Sequence, residues 1–391
     1  MSFYILGSIR QSVAHNPTGG MEAVTHDLYK GLVLEGFEVE VVTSSIDDST
    51  QQVDIDGVKY LFAPNSPKGM YSQELHQYNK DYLEYKISQG KRPLVIHSAS
   101  GAAAALTKNQ YGIPVVASWH GTNIEQDLDR MMSYVYLDKK TLLPSHCADL
   151  LLKTCNNYKL SQDFQSFDGH IAISSFMKEC ILSYGVPESK VAVIQNSLPE
   201  YFFLEEKKSI GFQKPKDKVL LGLVGRSVPM KGHDFFIEVI NKLDPNKYEL
   251  IVISGNTNKD LFKDCKMNIH FVSEKRENMP YLYSLMDIYV NPTFRYSGFD
   301  LTVQEALVSG TVVLNSNVKP YANYYNELNS LFGNNSPFFI FNVGDTTSCA
   351  NAINYIANNG IKNQQIDHFL NRYKMKNMIS NYISFFSELN K

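Results

Sequence analysis

Cysteine is scarce in this chain of 391 residues. The five present, Cys147, Cys155, Cys180, Cys265 and Cys349, are odd in number and form no C-x-x-C pair. That argues against a disulfide framework or a zinc site and fits a reducing compartment. Neither sign of charge dominates: 37 Lys and Arg face 40 Asp and Glu, for a net charge of −3. A nucleic-acid binder would show a basic excess, so that class is excluded, while a local basic site for a small anion is not. No run of about 18 apolar residues occurs, which excludes a membrane span but leaves peripheral contact open. The opening Met1–Ser8 has no basic region before its apolar run and is not expected to be a signal peptide. There is no internal repeat and no low-complexity tail. No dinucleotide glycine fingerprint or Walker loop opens either half, which disfavours a nicotinamide dehydrogenase.

What the chain has is a 43% hydrophobic composition, enough for packed cores. Its length suits two domains of roughly 150–200 residues each. Short apolar runs alternate with helical patterns. Strands are expected at Phe3–Leu6, Glu38–Thr43, Leu94–His97, Pro114–Trp119, His170–Ile173 and Val191–Gln195. Helices are expected at Met21–Leu34, Gly101–Tyr111 and Ser175–Tyr184. The rhythm lapses over Leu198–Asp217, an expected linker, and resumes with strands at Val219–Val224, Leu250–Ser254, Ile269–Val272, Ile288–Asn291, Val312–Asn315 and Phe338–Phe341. Such a βαβ rhythm predicts two doubly wound, mostly parallel sheets covered by helices. An amphipathic, aromatic-rich helix over Ile366–Leu389 is placed to cross back onto the first domain.

In open α/β sheets ligands sit beyond the carboxyl ends of the strands, so the loops that follow strands carry the chemistry. After Val219–Val224 comes Gly225-Arg226-Ser227-Val228-Pro229-Met230-Lys231-Gly232. Two cations where a strand gives way to a helix suit a diphosphate, each charge-assisted bond contributing about 1.5–3 kcal/mol. Solvated loop residues would read the same. After Ile288–Asn291, a long loop leads to Gly298-Phe299-Asp300-Leu301-Thr302, a helix start with unsatisfied amides. Glu305 lies about one turn in, where it could accept two ribose hydroxyls or merely complement the helix dipole. Gly19-Gly20 opens the first helix and could bring amides to an anion, or form a plain turn. His120 follows Pro114–Trp119 at the edge of the first domain's binding end. Asp54-Ile55-Asp56 mimics a metal-binding pair, but Gly57 follows it and an Asp-Gly hairpin turn is the better reading. The histidines lack ligand-like spacing, and no metal site is expected.

Taken in order, these loops resemble the retaining glycosyltransferases of the GT-B fold, in particular the family 4-like branch also called glycosyl transferases group 1. The resemblance runs through Gly19-Gly20, His120-Gly121, Ser174-Ser175, Tyr184-Gly185-Val186-Pro187, Lys190–Ser197, Gly225-Arg226…Lys231-Gly232 and Gly298-Phe299…Glu305-Ala306…Ser309-Gly310. It implies two Rossmann-like domains facing a central cleft. Residues 1–200 would form the acceptor domain, with the helix of about 375–391 returning to it, and residues 201–374 the donor domain. It further implies roles. Arg226 and Lys231 would bind the donor diphosphate and act catalytically with His120, which would lie near the reacting sugar carbon. Gly19 and Gly20 would line the diphosphate or acceptor side. The backbone of Gly298, Phe299, Asp300, Leu301 and Thr302 would hold phosphate and sugar hydroxyls, Glu305 the ribose, and the base would stack near Ser273. No metal or other cofactor is implied beyond a nucleotide-diphosphate sugar, such as a UDP-sugar, as donor substrate. The partner would be a glycan or glycolipid acceptor, as in polysaccharide or lipopolysaccharide assembly. The expected place is the cytoplasm, with peripheral association at the inner face of the membrane.

The sequence departs from the family at its paired-glutamate motif. Counting back from Glu305, the first glutamate position holds Ser297, and a usual glycine is Asp300. Either could replace the lost sugar contact with altered geometry. Two other classes stay open at this point: a nucleotide-sugar 2-epimerase of the same fold, and a non-catalytic nucleotide-sugar-binding partner. If position 297 sets donor choice, Ser297→Glu will change rate or preference across a panel of nucleotide sugars. An unchanged profile removes that position from donor selection.

Overall fold

The computed structural model describes residues 3–15, 19–121, 164–204, 209–254, 258–295, 299–363 and 370–390. They divide into two compact units. The chain passes to the second at Leu198–Pro199 and returns to the first at Asn371–Arg372.

The first unit runs β1 (Tyr4–Ser8), α1 (Gly20–Leu34), β2 (Glu38–Ser44), β3 (Gln52–Ile55), β4 (Val58–Ala63), α2 (Gln73–Ser88), β5 (Val95–Ala99), β6 (Val115–Trp119), β7 (Gly169–Ala172), α3 (Ser175–Ser183) and β8 (Val191–Val193). The sheet order is β3-β4-β2-β1-β5-β6-β7-β8. Among the described residues, only the β3–β4 pair of this sheet is antiparallel. β1, β5 and β6 are buried along their whole length, as parallel strands covered on both faces must be. Asp56 and Gly57 take φ of 55° and 80°, the left-handed pair that a tight hairpin requires. The Gly57 amide donates to the Asp54 carboxylate, and Asp56 accepts from Lys30 and His26. These carboxylates serve a turn, as the Asp-Gly pair suggests.

The expected helix over Gly101–Tyr111 does not form. The segment holds one 3-10 turn, Ala104–Leu106, because side chains compete for its backbone groups. Ser98 Oγ accepts from the Ala103 amide, Asn109 bonds both the amide and the carbonyl of Ile113, and Lys108 turns left-handed at φ 65°.

The second unit runs β9 (Val219–Val224), α4 (His233–Ile240), β10 (Tyr248–Ile253), β11 (Asn268–Val272), α5 (Met279–Leu285), β12 (Ile288–Asn291), α6 (Leu301–Val308), β13 (Val312–Ser316), α7 (Lys319–Phe332), β14 (Phe338–Phe341) and α8 (Thr346–Asn358). Its six strands are all parallel, in the order β11-β10-β9-β12-β13-β14. The chain winds outward from β9 to β11 and then restarts on the other side at β12. The switch point between β9 and β12 therefore opens a crevice at their carboxyl ends. Leu221 and Leu223 of β9, Val290 of β12, and Phe235 and Phe236 of α4 pack one face of this sheet. On the other face, Gly222 makes room for Met286, whose sulfur lies 2.1 Å from where a Cβ would be.

Helix α9 (Met375–Glu388) belongs to the first unit. Gly31 of α1 lets Ile379 settle against the helix, since a Cβ there would lie 2.0 Å from the isoleucine. The Leu198 amide donates to the Tyr373 carbonyl at 2.8 Å, so the outgoing and returning strands run side by side. A buried chain of hydrogen bonds fixes α1 and α9 to the sheet. Tyr29 of α1 meets His97 Nδ1 (2.9 Å), His97 Nε2 meets Ser118 Oγ (2.7 Å), and Ser118 meets Tyr382 of α9 (2.8 Å).

Burial and the nearby His120 push His97 down to about 3. Between that value and the ordinary 6.5 or so, the unfolded chain binds the extra proton. Stability from this group is therefore complete above pH 6.5 and falls on acidification towards pH 3, by at most about 1.4 kcal/mol per pH unit. His97→Gln is expected to weaken the fold at pH 7 yet lose less between pH 7 and pH 5 than the wild type does, as read from urea midpoints. Parallel losses would remove His97 as the titrating group.

Candidate donor-binding site

The two loops at the switch point of the second unit are joined to one another. The Phe294 amide and the Thr293 hydroxyl both donate to the Met230 carbonyl. Helix α4 begins two residues after Lys231. Pro229–Lys231 forms a 3-10 turn, and Gly232 adopts φ 71° before α4 starts at His233. A Cβ on Gly232 would stand 2.0 Å from the Pro292 carbonyl oxygen, so only glycine lets the loops approach this closely.

That approach brings Lys231 onto Asp300. The ammonium lies 2.5 Å from Asp300 Oδ1, and Arg295 reaches the same oxygen at 3.2 Å. Asn291 Nδ2 donates to the other oxygen at 3.3 Å and is itself tied to Asn315. The Asp300 amide donates to Tyr321 Oη at 2.9 Å. Asp300 is thus buried and fixed from four sides. Burial alone would raise its carboxyl, but Lys231 and Arg295 overrule it and hold it well below the usual carboxylate range. Burial also pulls the Lys231 ammonium below its usual range, while Asp300 opposes that shift. Arg226 is exposed at the rim of the same loop and forms no ion pair among the described residues.

Helix α6 begins directly behind Asp300. Asp300 is its N-cap residue, but its carboxylate does not cap the helix; the cations take it instead. Leu301 and Thr302 are half-buried, and Thr302 Oγ1 accepts from Tyr289 at 2.7 Å. Glu305 is buried. It accepts from Tyr283 at 2.9 Å and faces Arg276 Nε at 3.5 Å. Arg276 follows β11 in the loop that also holds the exposed Ser273, so the Glu305 position is linked to the loop expected to receive a base. Phe299 is half-buried against Tyr321 and Tyr324.

The second unit therefore brings together Arg226, Lys231, Phe299, Asp300, Leu301, Thr302 and Glu305. Ser297 and Gly298 lie outside the described residues. Gly19, Gly20 and His120 belong to the first unit. Gly19 stands before α1 with φ −71° and ψ 131° and no side-chain cap, and His120 is half-buried just past β6. Among the described residues, no group of three or more His, Cys, Asp or Glu is arranged to hold a metal. Arg295, Arg276, Asn291 and Tyr321 were not singled out from the sequence. For Arg295 a signal existed, since it is a further cation in a strand-following loop.

A crevice at a parallel-sheet switch point, lined by two loops that carry cations and by a helix start, is an arrangement suited to an anionic ligand. The two halves of the chain match two glycosyltransferase families: residues 18–199 match Glycosyltransferase Family 4 and residues 218–359 match Glycosyl transferases group 1. The chain belongs to the family 4-like glycosyltransferases of the GT-B fold. An uncharacterised glycosyltransferase of Methanocaldococcus jannaschii is 26% identical over 322 residues, 77% of each chain. An uncharacterised 41.2 kDa protein in the cps region of Klebsiella pneumoniae is 28% identical over 153 residues, 38% of this chain and 42% of that one. The fold is that of a glycosyltransferase from Rickettsia africae (TM-score 0.69, 16% identity, 100% of this chain and 99% of that one). It is also that of Anabaena HepE, solved with UDP-glucose (TM-score 0.69, 15% identity, 98% and 99%). No helix among the described residues is long and apolar enough to cross a membrane.

Gly232→Ala is expected to cost at least about 1–2 kcal/mol from its left-handed backbone alone, and more from the collision with Pro292. Thermal unfolding that matches the wild type would show that the two loops can separate freely.

Proposed function

We propose that this transferase moves a sugar from a nucleoside-diphosphate sugar to a glycan or glycolipid acceptor, with retention at the anomeric carbon. The observation that carries the reading is the convergence of Lys231, Arg226 and the start of α6 at one switch point. Charge develops on the departing diphosphate as the bond between the anomeric carbon and the phosphate oxygen breaks. Fixed cations and oriented amides stabilise that charge without having to reorganise. The acceptor oxygen bonds to the anomeric carbon on the face the diphosphate leaves, and the acceptor proton passes to the departing phosphate. In this scheme the protein's own cations carry the leaving-group charge, and no metal is assigned to it.

Glu305 takes the ribose hydroxyls in this proposal, with Tyr283 and Arg276 fixing its carboxylate. The loop of Ser273 receives the base. The backbone from Gly298 to Thr302 holds phosphate and sugar hydroxyls, and Ser297 or Asp300 replaces the sugar contact of the family's first glutamate. Gly19, Gly20 and His120 keep the roles toward diphosphate and reacting sugar that the family resemblance implies. The UDP-glucose bound by HepE supports a nucleotide-sugar donor. In this proposal the acceptor is a cell-surface glycan precursor assembled in the cytoplasm, with the enzyme in peripheral contact with the inner face of the membrane.

A thermal-shift screen with UDP, GDP, ADP and their sugars tests this reading and identifies the base. At least one nucleoside diphosphate is expected to stabilise the protein, and none doing so would overturn the proposal. Lys231→Ala is expected to weaken that ligand by about 1–2 kcal/mol, roughly tenfold. Calorimetry showing unchanged affinity would remove Lys231 from the site.

A further inference from the structure

The carboxylate of Asp300 occupies the place on Lys231 where the proposed function puts a phosphate. The contact is short, buried and shared with Arg295. Its geometry is fixed from behind by Asn291 and Tyr321, so it is no surface pair that forms and breaks at little cost. We infer that Asp300 is a built-in counter-ion that competes with the donor diphosphate for Lys231 and Arg295, lowering the affinity of this site for nucleoside diphosphates. The inference rests on the reading of Lys231 as a diphosphate ligand.

Three cations, Arg226, Lys231 and Arg295, surround the crevice. With Asp300 ionised, one of those charges is already cancelled before any phosphate arrives. An incoming diphosphate either displaces the carboxylate from Lys231 or binds beside it against its repulsion. In both cases part of the attraction between lysine and phosphate is lost. Replacing the carboxylate by a neutral group releases that part. The same replacement removes the buried carboxylate from Lys231, so the protein itself becomes less stable. A residue that merely supported the fold would not combine lower intrinsic stability with tighter ligand binding.

The test is calorimetric titration of the full chain with UDP, GDP and ADP, followed through the one that the wild type binds best. Asp300→Asn and Asp300→Gly should each bind it severalfold to tenfold more tightly. Both should unfold at a lower temperature without ligand and show a larger shift with it. Affinity should also fall more steeply with salt in both variants, because an additional unpaired cation faces the phosphates. In a Lys231→Ala background, Asp300→Asn should give a clearly smaller gain. Unchanged or weaker binding in both variants, with native circular dichroism, overturns the inference while leaving the proposed function intact. An equal gain with and without Lys231 also overturns it. Failure of the wild type to bind any of the three overturns the proposed function and this inference with it.

Discussion

Much of the second unit's binding end depends on one buried carboxylate held between two cations. An ionised group away from water is stable only where its partners stand in fixed positions. Asp300 meets that condition through Lys231, at the end of the β9 loop, and Arg295, in the β12 loop. The pair therefore joins two loops that the chain reaches 69 residues apart. Other features follow from this demand. Gly232 must be left-handed and free of a side chain so that the loops can meet. Met230 must turn its carbonyl towards Thr293 and Phe294. Tyr321 must place its hydroxyl at the Asp300 amide.

The first unit solves a similar problem with neutral groups. Its sheet also changes direction at β1, and its central helices are anchored by Tyr29, His97, Ser118 and Tyr382. Every member of that chain is uncharged near neutral pH, with His97 kept so by burial. A neutral network suits a unit whose task there is to hold a returning helix, since it needs no counter-ion. The charged network holds Lys231 and Arg295 in place, as the proposed diphosphate site requires.

The sequence was most legible where backbone chemistry left one solution. Strands at Val219–Val224, Ile288–Asn291 and Phe338–Phe341 follow the sequence reading residue for residue, because short apolar runs between turn residues have few alternatives in a parallel sheet. The Asp56-Gly57 turn was equally plain. The Gly101–Tyr111 segment misled because alanine content argues for a helix locally, while Ser98 and Asn109 act from outside the helical pattern. Helix α2 gave little signal, since it buries only Leu75, Asn79, Leu83 and Lys86, a stripe one residue wide with two polar members. Within the site, Arg226, Lys231 and Glu305 could be picked out because each lies next to a strand end or helix start. The contact between Lys231 and Asp300 could not, since nothing local to either residue specifies the other. The same holds for Arg295, which shares the Asp300 carboxylate with Lys231.

A transferase that leaves its product bound gains nothing from a perfect phosphate site. Cations that bind the diphosphate equally well before, during and after transfer lower the energy of every state together and do not accelerate the chemical step. Attraction is useful where it grows as the bond to phosphate breaks and negative charge collects on the leaving group. Under the proposed function, a carboxylate resting on Lys231 lowers the attraction for the donor and for the released diphosphate alike. In the same proposal, the pairing that fixes these loops in place also keeps the phosphate site from holding its ligand too firmly. On this reading the aspartate at a position where the family usually has glycine is a working part of the donor site.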